Sequence, residues 1–153
     1  MIGAIKQFFD KHIAAPSAAT VDDHRLQVAT SAILIEMTRA DFDVHPEELA
    51  AVARAVRTAF GVSAAEIEEL LQLAEEEVRR ATDYYQFTSL INKGFSPEDK
   101  ARVIELMWDV AYADSRVDKY EDHLVRKIAG LLHVPHKEFI AAKHRARTKR
   151  EHA

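Results

Sequence analysis

Ala40-Asp41-Phe42-Asp43-Val44-His45-Pro46-Glu47-Glu48 returns 73 residues later as Ala113-Asp114-Ser115-Arg116-Val117-Asp118-Lys119-Tyr120-Glu121. The shared pattern is Ala-Asp-x-x-Val-x-x-x-Glu, and helix-forming sequence flanks it both times. At the same offset Glu36 falls on Asp109 and Val52 on Val125. One residue of slip later, Phe60-Gly61-Val62-Ser63 falls on Leu132-His133-Val134-Pro135. Each half therefore reads as a helix, an acidic connection, a second helix, a short turn and a third helix. The stretch from Thr82 to Asn92 joins the halves.

The helix before each connection is unusually apolar. From Leu26 to Thr38 the only formal charge is Glu36, and from Val103 to Ala113 there are only Glu105 and Asp109. A helix apolar nearly all round belongs in the centre of a fold. These two are expected side by side in the core, with Met107 and Trp108 as packing residues. Ser63-Ala64-Ala65-Glu66 and Ser96-Pro97-Glu98-Asp99 read as capped helix starts. Pro46 and Pro135 open helices, and Gly61 and Gly94 fit their ends. Helices are expected near 2–12, 23–39, 46–60, 64–80, 84–92, 97–113, 119–132 and 136–147.

Composition agrees. The chain has 153 residues, one domain's worth, and 25 alanines against four glycines and four prolines. Packed helices follow, and a sheet protein is disfavoured. The expected fold is all-α, a single helical domain over 23–147. An N-terminal amphipathic helix and linker (1–22) precede it, and a basic tail (148–153) follows. The absence of cysteine excludes disulfides, iron–sulfur clusters, thiolate zinc sites and thiol nucleophiles. Any metal must take oxygen or imidazole ligands. A net charge of −4 argues against a generic nucleic-acid binder. The strongest apolar run, Ala32 to Ile35, is far too short to span a bilayer. With no secretion signal read at the start, the expected location is cytoplasmic.

The doubled Ala-Asp-x-x-Val-x-x-x-Glu connections, with a Val-Ser or Val-Pro turn after the second helix of each half, resemble the TerB-like family of tellurite-resistance-associated proteins. The resemblance covers Asp23 to Arg147. It implies an all-helical fold, a link to stress responses, and acidic residues that have been proposed to bind metal. It also implies kinship with a domain of a membrane-anchored co-chaperone. The family usually has Gly directly after the Asp, where this chain has Phe42 and Ser115.

Asp41 and Asp114 follow one helix and Glu48 and Glu121 open the next, with Glu36 and Asp109 about a turn and a half earlier. Carboxylates so arranged suit a hard cation, Ca²⁺ or Mg²⁺. The hairpin is not an EF-hand, because Glu follows Asp by seven with no intervening glycine. Asp118-x-x-Glu121 is equally a capping box, with His45-x-x-Glu48 as its weaker counterpart. Asp41 and Asp114 equally serve to satisfy loop N–H groups. Glu36 and Asp109 need partners, because an unpaired buried carboxylate is costly. Arg39, Arg116 and an ion all qualify.

Elsewhere the signals are weaker. His133 and His136 straddle the Val134-Pro135 turn and do not share a helix face. There is no Gly-rich phosphate loop, no Gly-x-Ser-x-Gly and no His-Glu-x-x-His, so no enzyme is expected. Ile2, Ile5, Phe8, Phe9 and Ile13 form a stripe that docks on its own domain. Phe8 and Phe9 are the alternative, weak partner-binding pair. Lys143 to Arg150 carries five Lys/Arg and reads as a solvated helix end. Two functions remain: a metal-binding stress protein, or a protein-interaction module whose acids only shape helix ends. Expected partners are an unidentified protein or a second copy of the chain, without nucleic acid or membrane insertion.

Overall fold

Ser63 opens its helix as the pattern requires. Its Oγ accepts from the Glu66 N–H at 3.1 Å, and Glu66 Oε1 accepts from the Ser63 N–H at 3.4 Å. Ser96 Oγ accepts likewise from the Asp99 N–H at 3.1 Å. Asp22 Oδ1 accepts from the Arg25 N–H at 2.8 Å. Each bond satisfies one of the orphan donors at a helix start.

The computed structural model describes residues 3–14, 22–40, 46–79, 85–113 and 118–151. Every element among them is helical. These are α1 (Gly3–Phe8), running into a π-helical turn (Phe9–Ile13), α2 (Asp23–Ala40), α3 (Pro46–Phe60) and α4 (Ala64–Arg79). After them come α5 (Gln86–Gly94), α6 (Pro97–Ala113), α7 (Asp118–Leu131) and α8 (His136–Glu151). α8 continues past 147, where the sequence pattern ends.

The two apolar helices are central. From Leu26 to Thr38 every α2 residue but Gln27 is buried, and α6 buries Val103, Ile104, Met107, Trp108, Val110 and Ala111. α2 packs on α6. Two buried hydroxyls on α2 return to the backbone: Thr30 donates to the Leu26 carbonyl at 2.8 Å and Ser31 to Gln27 at 2.7 Å. α2 carries α3 and α4, and α6 carries α7 and α8 in the same order. The halves are not equivalent throughout. α3 also packs on α6, and among the described residues α7 does not pack comparably on α2.

The turns closing α3 and α7 share a backbone conformation. Gly61 has φ +68° and His133, its counterpart in the repeat, +59°. The Gly61 N–H donates to the Arg57 carbonyl at 2.9 Å, the single-bond left-handed helix end. At His133 the end is a Schellman motif: the Val134 N–H reaches Ala129 O at 2.9 Å and the His133 N–H reaches Gly130 O at 3.2 Å.

The N-terminal segment docks on its own domain, burying Ile5, Phe8, Phe9 and Ile13. Phe8 and Ile13, five residues apart, would face different sides of an α-helix. The wider π turn, closed by the Ala14 N–H to Phe9 O bond at 2.8 Å, brings both inward. Arg25 then ties this segment to α2 by donating to the Ala14 carbonyl at 2.6 Å. Among the described residues no helix is long and apolar enough to cross a membrane.

Candidate functional site

Glu36 lies on α2 and is 1% exposed. Its Oε2 accepts from the Phe87 N–H at 2.8 Å, while Oε1 accepts from the Thr88 N–H at 3.0 Å and the Thr88 hydroxyl at 2.8 Å. Phe87 and Thr88 are the second and third residues of α5. The residue at that helix's N-cap, Tyr85, makes no side-chain capping bond. Glu36 therefore supplies from α2 what Ser63 and Ser96 supply locally, and places its charge at the positive end of the α5 dipole.

The start of α5 is a partner that the sequence did not offer; of the arginines expected to balance Glu36, Arg39 has its Nη2 4.0 Å from Glu75 Oε1, and Arg116 lies outside the described residues. Sequence reasoning placed a helix near 84–92 but did not connect its start to Glu36. The signal was present: the run Tyr84-Tyr85-Gln86 offers no Ser, Thr, Asp or Asn to cap the helix it opens.

Asp109, the counterpart of Glu36 in the repeat, is in a different setting. It is half-buried and lines a cleft of about 310 Å³ with Asp23, Gln27, Phe60, Arg102 and Glu105. Arginines already engage two of those acids: Arg102 Nη2 lies 2.5 Å from Asp23 Oδ1, and Arg145 Nε 2.6 Å from Glu105 Oε1. The two positions thus share a charge but differ in burial. Among the described residues no group of three or more His, Asp or Glu side chains converges as a cation site.

α2 ends at Ala40 and α6 at Ala113, so Asp41 and Asp114 follow directly on the two central helices. Glu48 is the third residue of α3 and Glu121 the fourth of α7. Asp41 and Asp114, and the side chains of Glu48 and Glu121, lie outside the described residues.

Phe8 and Phe9 do not offer a partner surface. Phe8 is 2% exposed and packs edge-on to Phe87 at 5.8 Å, and Phe9 lies under Gly94. Their burial against α5 corrects the partner-binding reading of that pair. Two features escaped the sequence analysis. His24 Nε2 and His12 Nδ1 lie 3.4 and 3.8 Å from Glu66 Oε2, joining the first two helices to α4. A groove of about 880 Å³ between α3 and α4 has Ala53, Val62, Ile67 and Leu71 in its lining, with Arg54 and Arg57 beside them.

No curated protein and no solved structure matches the chain. The family models give one assignment. Residues 27–144 match the model described as tellurite resistance protein TerB, a span that holds α6, all but the first turn of α2 and both acidic connections, and the chain belongs to the TerB family.

Proposed function

We propose that this chain is a non-enzymatic, cytoplasmic stress-response protein that holds a divalent cation, Ca²⁺ or Mg²⁺, at its two acidic connections. Asp41 and Glu48 would serve the first, and Asp114 and Glu121 the second, with Asp109 about a turn and a half behind. The observation that supports this is the doubled arrangement. Each Asp directly follows a central helix, and each Glu stands in the first turn of the next. Carboxylates alone suit hard cations, which take oxygen ligands. Glu36, whose oxygens both accept from α5, would stand behind the first connection as Asp109 does behind the second.

The test is calorimetry of the full chain with Ca²⁺, Mg²⁺, Mn²⁺ and Zn²⁺. Binding of Ca²⁺ or Mg²⁺ that weakens in Asp114→Asn is the expected result. Heats at buffer level for all four ions would reject the proposal.

Glu36 favours a second reading, a protein-interaction module in which every acid shapes a helix end. Both its oxygens accept from the start of a helix, α5. On that reading Glu121→Gln leaves any response to cation unchanged, since Gln also completes a capping box.

A further inference from the structure

α4 and α8, each the third helix of its half, carry opposite charge. α4 has six glutamates against one arginine, Arg79, and α8 has six Lys/Arg against Glu138 and Glu151. The net −4 of the whole chain therefore conceals two segregated fields. Both helices are 16 residues long, roughly 24 Å each. α4 packs mainly on α2 and α8 mainly on α6, which leaves one face of each outward. The outward face of α4 presents Glu68, Glu69, Gln72, Glu75 and Glu76. That of α8 presents Lys137, Ile140, His144 and Arg147 at i, i+3, i+7 and i+10, one continuous stripe.

Some of this charge is met within the chain. Arg145 pairs with Glu105 at 2.6 Å, Lys143 stands over the Trp108 ring at 4.7 Å, and Arg39 approaches Glu75 at 4.0 Å. Lys137 and Arg147 on α8, and Glu68 and Glu69 on α4, project outward beyond those contacts. Ile140, in the middle of the basic stripe, is 45% exposed. An exposed apolar side chain ringed by one sign of charge suits a partner helix that carries the other sign.

We propose that α4 of one copy docks on α8 of a second copy, its carboxylates against Lys137 and Arg147 on either side of Ile140. Charge complementarity selects this occupant: the two faces match in length and oppose in sign on the same chain. A polyanion such as nucleic acid would meet the acid of α4 and the net negative charge as well as the basic stripe. The contact is independent of any cation at the connections.

Sedimentation velocity of the full chain, at low and at high salt, tests it. Concentration-dependent association at low salt that high salt reverses is expected, because exposed pairs are screened. Lys137→Glu/Arg147→Glu and Glu68→Lys/Glu69→Lys should each lower the association constant by about tenfold or more. Mixing these two variants should restore association, because each then supplies the face the other lacks. That recovery also shows that both variants are folded. A chain monomeric at every salt and concentration overturns the proposal. So does association unchanged in both variants, or a monomer whose α8 instead binds a polyanion such as heparin.

Discussion

Glu36 illustrates how one buried charge organises distant sequence. Three donors converge on its carboxylate, two of them backbone N–H groups that no local side chain reaches. Orphaning buried donors costs ~1–3 kcal/mol each, so Glu36→Ala should destabilise the fold by at least ~2 kcal/mol in a denaturant melt. Thr88→Val removes one bond and should cost ~1 kcal/mol. A double-mutant cycle of the two changes should show clear coupling; strict additivity would contradict the shared cap. The left-handed helix ends make a second, signed prediction. A Cβ at Gly61 would meet nothing within 4 Å, so Gly61→Ala is opposed only by its φ of +68°. The cost expected in a thermal melt is ~1 kcal/mol. His133→Gly relieves the same conformation and should gain up to ~1 kcal/mol, the freer unfolded chain offsetting part of it.

At the scale of elements, α8 is held by an aromatic seam. Phe139 is 2% exposed and lies edge-on to Trp108 at 5.7 Å, with the Arg126 guanidinium 5.1 Å from its ring. Phe139→Ala should cost ~3–5 kcal/mol. The single Trp reports on it directly: emission from Trp108 should shift to the red as α8 loosens, and an unchanged spectrum would contradict the seam. The helices themselves were legible in sequence, because their signals are local. Ser63, Ser96 and Pro97 announce starts, Gly61 an end, and the apolar runs of α2 and α6 their burial. What was not legible depends on tertiary contact. The cap on α5 comes from α2, and the π turn at Phe9 exists to bury Phe8 and Ile13 together. The positive φ of His133 was visible only through its alignment with Gly61. The acidic connections were legible as pattern, but a pattern of carboxylates does not distinguish a ligand from a cap.

Across the whole molecule, two halves of like order meet through α2 and α6. The departures are as informative as the likeness: among the described residues α3 crosses to α6 without a comparable return by α7, and Glu36 is buried where Asp109 lines a cleft. Superposition should therefore lay α2–α3–α4 on α6–α7–α8 in the same packing hand, while α5 follows only the first half. A different packing hand in the second half would contradict a duplicated origin for the acidic connections.

The central claim is that those connections hold a cation. A denaturant titration of the wild type and of Asp41→Asn/Asp114→Asn, with and without excess Ca²⁺ or Mg²⁺, tests it most directly. A ligand that binds only the folded state stabilises it, by about 2.7 kcal/mol at roughly a hundred times its Kd. Replacing both aspartates removes that gain. In the absence of cation the variant should be at least as stable as wild type, since a cluster of like charges loses members. The account predicts a cation-dependent rise in stability for the wild type and none for the variant; equal responses in the two proteins would contradict it.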